Sequence, residues 1–281
     1  VSDKTPAPPP GIHEDRPAED YHADSAVSRS VLWRVYSKSP AHARFGERKE
    51  TNALDLGHAI HTAILEPHEF ERRNIRGPED RRGNKWKDAV AEAEASGKLL
   101  LTAGDYDQVK RVRDAVHDYG FINRIICGND ALVEHSAYWR DEATGLLCKC
   151  RPDLVRPNLG VMVDVKSCAS ANAREFAASV ARYGYHFQDA WYRDGWESAG
   201  GTACIGFVFI AIEKEPPFEV AVFELEAAAT EEGRLIGRKA LDTYARCQAA
   251  DEWPGYPREV QIINLPRWGY QEITEAQEAA E

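Results

Sequence analysis

The tripeptide Arg151-Pro152-Asp153, a gap of ten residues, and then Asp164-Val165-Lys166 constrain this chain more than any other feature. Both pieces sit in apolar runs that read as strands: Leu146–Val155, a Pro157-Asn158-Leu159-Gly160 turn, then Val161–Lys166. On a strand, side chains two apart share a face, so Asp164 and Lys166 point the same way at roughly 7 Å. Asp153, at the end of the neighbouring strand, can reach the same point. Val161, Met162, Val163 and Val165 around Asp164 predict a buried strand, where an unpaired carboxylate is costly. Two carboxylates and an ammonium converging at a sheet edge suit a hard divalent cation beside an activated water. Lys166 can orient that water, lower its pKa or stabilise charge on a phosphate; the simpler alternative is a salt bridge to Asp164 or Asp153.

The rest of the chain alternates helices and strands. A first helix is expected from Ser28 or Ser30 towards Ser39-Pro40, and a second over Leu54–Leu65, ended by Pro67. Gly57 and His61 share a face of that helix, and Gly57 can admit another backbone or a ligand. Arg72–Gly83 reads as an exposed loop; Lys85–Ser96 and Ala103–Tyr119 read as helices. Ala131–Trp139 is predicted to be a strand, with Asp141–Gly145 as its hairpin turn. After Lys166 come helices near Asn172–Tyr183 and His186–Ser198, strands at Ala203–Ile212 and Phe218–Leu225, and a closing helix over Ala227–Ala250. This order predicts an α/β fold with a central mixed sheet flanked by helices. Residues 1–20, with Pro6-Ala7-Pro8-Pro9-Pro10, read as a disordered leader. Residues 21–255 are expected to form the main domain and 256–281 a C-terminal extension, whose acidic, Ala-rich Thr274–Glu281 reads as a frayed helix or a loose tail.

Charge and cysteines narrow the function classes. A net charge of −11 argues against a passive, sequence-independent coat on DNA, though a nuclease needs only a positive groove. Arg72, Arg73, Arg76, Arg81, Arg82, Lys85 and Lys87 crowd one stretch, and Lys110, Arg111 and Arg113 another. Each can be a solvated face, but the first cluster is dense enough to expect contacts from Arg81, Arg82 and Lys85 to a DNA backbone. No run of about 18 apolar residues predicts a membrane span. The cysteines at 127, 148, 150, 168, 204 and 247 form no CxxC pair, so reduced thiols are expected and an iron–sulfur cluster is not.

Four pieces recur in one order: Gly57-His58-Ala59-Ile60-His61, Pro152-Asp153, Asp164-Val165-Lys166, and Gln188-Asp189-Ala190-Trp191-Tyr192. Tyr21-His22-Ala23-Asp24, Val27-Ser28-Arg29-Ser30 and Ser39-Pro40-Ala41-His42 precede them. Over roughly residues 20–250 the arrangement resembles the RecB-type nuclease domains of the PD-(D/E)xK superfamily, and within them the RecE-like (exonuclease VIII type) phage exonucleases. The resemblance implies a restriction-endonuclease-like core. It makes His61, otherwise readable as a packed or surface histidine, a metal ligand with Asp153, Asp164 and the Val165 carbonyl. It makes Lys166 catalytic, places Gln188 and Tyr192 against the site to hold a phosphate or the lysine, and gives Ser28 and Ser30 DNA contacts besides a capping role. Glu134 reads as a second-metal or site residue, or as a surface strand residue. Many superfamily members carry Glu at the second acidic position; Asp164 matches the RecB and RecE types.

The function implied is a Mg²⁺-dependent 5′→3′ exonuclease, with Mn²⁺ able to substitute, that resects linear double-stranded DNA to 3′ single-stranded tails. Its implied partners are DNA ends and a single-strand annealing protein of RecT type. The implied assembly is a ring-shaped homo-oligomer of four, or three, subunits in the cytoplasm of a bacterial host, encoded by phage or prophage. The alternatives are another RecB-type or Cas4-like nuclease, against which the missing cysteine cluster counts, and a noncatalytic DNA-binding module on a nuclease fold.

Overall fold

The computed structural model of the chain describes residues 5–14, 16–46 and 52–265, with side chains described from residue 56 in the last segment. Its N-terminal half runs β1 (Gly11–His13), α1 (Ala18–Ala23), β2 (Val27–Ser28), α2 (Arg29–Ser37), α3 (Pro40–Phe45), α4 (Asn52–Leu65), α5 (Pro67–Arg73), β3 (Asn74–Arg76), α6 (Gly83–Ser96), β4 (Leu99–Leu101), α7 (Ala103–Asp118) and α8 (Gly120–Ile126). The C-terminal half runs β5 (Leu132–Val133), β6 (Ser136–Arg140), β7 (Leu147–Cys150), β8 (Leu154–Arg156), β9 (Val161–Cys168), α9 (Ala173–Tyr183), α10 (Tyr185–Ser198), β10 (Gly206–Glu213), β11 (Val220–Phe223) and α11 (Ala227–Ala250). No helix among the described residues is long and apolar enough to cross a membrane.

The central sheet has the order β11-β10-β9-β8-β5. β9 pairs parallel with β10 and antiparallel with β8, which makes the sheet mixed. β9 is buried on both faces. Val163 and Val165 join Ile60, Ile64, Val109 and Val112 of α4 and α7 on one side. Met162 joins Phe176, Phe187 and Ile236 of α9, α10 and α11 on the other. Alternation along the strand therefore aims Asp164 and Lys166 at the α9–α10 side.

Two predicted strands are each broken in two, at matching places. The run Leu146–Val155 divides at Arg151–Asp153, because Pro152 has no N–H to give a ladder. The run Ala131–Trp139 divides at Glu134, whose φ of 49° lies in the left-handed region. The halves join different sheets: β5 pairs with β8, whereas β6 pairs with β7 in a second sheet of order β1-β6-β7-β2. The hairpin turn forms as expected: Thr144 Oγ1 donates to Asp141 Oδ1 at 2.7 Å, and Gly145 takes φ 70°.

Two stretches expected to lack structure contain strands. Gly11–His13, within the predicted disordered leader, pairs antiparallel with β6. Asn74–Arg76, within the predicted loop, pairs parallel with β4, where Leu99-Leu100-Leu101 gives a short apolar partner. At the other end, Tyr256 lies 5.1 Å from His42, ring to ring, and the Ala41 amide donates to the Pro254 carbonyl. The acidic stretch Thr274–Glu281 lies outside the described residues.

Glycines set how closely α10 and α11 approach. A Cβ on Gly233 would collide with the His186 carbonyl oxygen, and one on Gly237 with the Phe187 ring. By contrast, a Cβ on Gly57 would meet no described atom within 4 Å, so no described segment closes on that glycine. The two sites therefore predict opposite signs. Gly→Ala inside a helix ordinarily gains about 0.5–1 kcal/mol. Gly233→Ala should instead lose about 1–3 kcal/mol to overpacking. Chemical denaturation of the two variants measures both signs; equal stabilisation at the two positions would refute the close α10–α11 contact.

Candidate active site

The polar residues converge where β8 and β9 meet. Leu154 pairs with Val163, so Asp153 stands one step earlier, beside Asp164 on the neighbouring strand. The Val165 amide donates to Asp153 Oδ2 at 2.7 Å, which fixes that carboxylate against β9. His61 of α4 faces the same oxygen, with Nδ1 3.3 Å from Asp153 Oδ2, and its imidazole also meets the backbone of Val165. Burial, and then the Lys166 charge, lowers the His61 pKa from its ordinary value, favouring the neutral ring that can ligate a metal.

Asp164 is only 1% exposed. Its Oδ2 pairs with the Lys166 ammonium and its Oδ1 accepts from the Gln188 amide on α10. Gln188 thus holds a carboxylate, a role the sequence reading did not assign to it. Asp164 Oδ2 accepts no directed hydrogen bond despite its burial. The Lys166 ammonium also sits over the Tyr185 ring, 4.8 Å from its centroid. Asp153 has its pKa raised well above the carboxylate range, first by burial and then by Asp164 beside it. Burial and the negative charge of Asp164 raise Tyr185 to about 12, and push Tyr192 further upward, so both phenols keep their protons at neutral pH.

The predicted residues His61, Asp153, Asp164, Val165, Lys166 and Gln188 are therefore brought together, and Tyr192 is near enough to feel the Asp164 charge. Glu134 lies at their edge. Its amide donates to the Asp153 carbonyl at 3.0 Å, and its charge acts on both Asp153 and His61. Glu66, Glu134, Arg73 and Arg151 line a polar cleft of about 480 Å³ there. Ser28 occupies the N-cap position of α2, but its hydroxyl meets Ser30 Oγ at 3.0 Å instead of capping the helix. Arg81 and Arg82 pair with Asp105 at 3.3 Å and Asp80 at 3.9 Å, and Lys85 is exposed on α6.

Three contributors were missed. Arg29 starts α2, donates to the Tyr183 and Gly184 carbonyls, and feels Tyr192, Asp164 and Tyr185, while its buried Nε has no partner. Tyr185 supports Lys166, and Glu66 lies near Glu134. For Arg29 the signal was present, since it stands between Ser28 and Ser30. Tyr185 and Glu66 carry no local signal.

The donor types fit a hard divalent cation: two carboxylates, one imidazole whose neutral form burial favours, and a backbone carbonyl. As the side chains stand, Lys166 and Gln188 hold Asp164. Among the described residues, no three His, Cys, Asp or Glu side chains are already grouped to hold a metal.

Residues 36–266 match the family described as PDDEXK-like domain of unknown function (DUF3799). The chain belongs to this family. No curated protein matches it. A solved structure from Eubacterium rectale, described as an exonuclease, is 14% identical, covers 90% of this chain and 96% of its own, and superposes with a TM-score of 0.61. A phage related exonuclease from Haemophilus somnus 129PT is 12% identical over 81% of this chain and 96% of its own, with a TM-score of 0.37. The Eubacterium likeness shows the fold: a restriction-endonuclease-like mixed sheet between helices, as the resemblance implied.

The crowded carboxylates yield a stability prediction. Because folding raises the Asp153 pKa, its ionised form opposes folding; the loss sets in as pH rises through the ordinary carboxylate range. In chelator, Asp153→Asn should melt higher than the parent at neutral pH, by roughly 2–4 °C per kcal/mol recovered. The gap should close as pH falls below that range. A variant that melts lower at neutral pH would show that the Asp153 charge stabilises the fold.

Proposed function

We propose that this protein is a divalent-metal-dependent exodeoxyribonuclease that degrades linear double-stranded DNA from the 5′ end and leaves 3′ single-stranded tails. The observation that carries this reading is the meeting of Asp153, Asp164, Lys166, His61 and the Val165 backbone at one point of a PDDEXK-family sheet. Mg²⁺ is the cation proposed, with Mn²⁺ as a substitute; when bound it supplies Lewis-acid stabilisation and a more acidic water.

The chain's own residues have separable tasks. Asp153, Asp164, His61 and the Val165 carbonyl would hold the cation. Val165 N–H orients Asp153, and Gln188 orients Asp164. Lys166 lies over Tyr185, with its charge directed at the same point, where it can orient the attacking water and offset the negative charge that grows on the phosphate. Arg29 adds a second fixed positive charge on the α10 side of Asp164. The annealing partner of RecT type and the ring-shaped oligomer belong to the same proposal, since a ring would keep an acidic chain on its DNA by topology.

End-labelled linear duplex tests the reading. With Mg²⁺ the 5′ label should be released first, and chelation should stop release. Lys166→Ala should lose at least about 100-fold in turnover while binding duplex normally, because the lysine acts mainly on the transition state. Near-normal turnover in that variant would make Lys166 structural, and release of the 3′ label first would reverse the polarity.

A further inference from the structure

Lys166 borders a second space besides the one it shares with Asp164. A cavity of about 380 Å³ opens at the C-terminal end of β9, walled by Lys166–Ser170 on one side and by Arg182, Tyr183 and Tyr185 on the other, with Lys214 at its edge. That size falls within the range of small-molecule sites, roughly 300–1,000 Å³. Neither Arg182 nor Lys214 enters an ion pair among the described residues. In a chain of net charge −11, two cations left without counter-ions beside Lys166 mark a place for an anion, although Glu175 contributes one negative charge to the rim.

The wall also carries aromatic rings. Tyr183 is 49% exposed, and its ring lies 5.8 Å from that of Tyr185 at an angle of 31°. Tyr185 is held from below by Phe176, at 6.0 Å, and carries the Lys166 ammonium over its face. One ring is thus fixed next to Lys166, and the other presents its surface to solvent. Aromatic faces combined with unpaired cations suit a nucleotide, whose base stacks while its phosphate is neutralised.

We propose that this cavity is a nucleotide subsite of the active site, in which one base of the strand being cut stacks on Tyr183 and the adjoining phosphate meets Arg182 and Lys214. The proposal rests on the reading of the protein as a DNA nuclease and adds where the strand runs relative to Lys166. The lining contains Ser167, Ser170 and Ser179 but no Asn or Gln, so it lacks the side-chain amides that pair with the edge of adenine.

Calorimetric titration of the full chain in chelator, with deoxynucleoside monophosphates, deoxynucleosides and inorganic phosphate as separate probes, tests the subsite. The monophosphates should bind at least about tenfold tighter than either fragment, and Tyr183→Ala should weaken them by roughly tenfold. Tyr183→Phe should restore binding, and Arg182→Ala should weaken the monophosphate but not the deoxynucleoside. Tyr183 is half-exposed, and its backbone carbonyl, the acceptor for Arg29, survives substitution, so the variants should melt with the parent. Equal binding of phosphate alone, unaffected by Tyr183→Ala, would overturn the proposal.

Kinetics on DNA separate this idea from the nuclease reading. Tyr183→Ala should raise KM with little change in kcat, and removing the base at the cut position should raise KM for the parent but not for the variant. Cleavage with KM unchanged by Tyr183→Ala would remove the subsite and leave the nuclease. Tyr183-dependent nucleotide binding without any cleavage of DNA would keep the subsite and remove the nuclease.

Discussion

A carboxylate at the centre of a buried strand is the constraint around which the molecule is arranged. Asp164 lies on β9, between two apolar layers, where an uncompensated charge would cost several kcal/mol. Compensation comes from two places. Lys166 arrives by strand periodicity alone, two residues on. Gln188 arrives only because α10 lies at the right depth, and that depth depends on Gly233 and Gly237 letting α11 close on it. The polar site and the helix packing are thus one problem. A shift of α10 would leave Asp164 with a lost hydrogen bond in a dry place.

A second buried carboxylate does similar work for the N-terminal segment. Asp24 accepts from Tyr138 at 2.7 Å, from Lys149 at 2.7 Å and from the Ala26 amide at 2.9 Å. These bonds tie the loop after α1 to β6 and β7, so β2 can add to the edge of that sheet. Arg29 follows directly. Its guanidinium reaches the α9–α10 junction and stacks 5.6 Å from Trp33, which brings its charge to the candidate site from a part of the chain far from Asp153.

The two strand breaks give the site its opening. Had Leu146–Val155 been continuous, Asp153 would have been one alternating residue in a long ladder. Pro152 ends β7 and frees Asp153 to accept the Val165 amide, while Glu134 turns the facing strand at the same level. Breaking both partners together lets a hairpin leave one sheet for another without stranding many backbone groups, since the Glu134 amide still donates to the Asp153 carbonyl.

Much was legible in the sequence because it depends on local rules. Period-two alternation placed Asp164 and Lys166 on one face of β9, apolar stripes located α4 and α7, and the motif order picked out His61, Asp153 and Gln188. The sequence also determined that a buried carboxylate on that strand would need a cation, since desolvation follows from its neighbours. What only the tertiary structure decided is which groups answer that need. Pairing of Gly11–His13 with β6, the division of two apolar runs between sheets, the Gln188–Asp164 bond and the Tyr185 ring under Lys166 all join residues far apart in the chain. Such contacts leave no periodic trace along the sequence, because they are fixed by the register and depth at which separately formed elements pack.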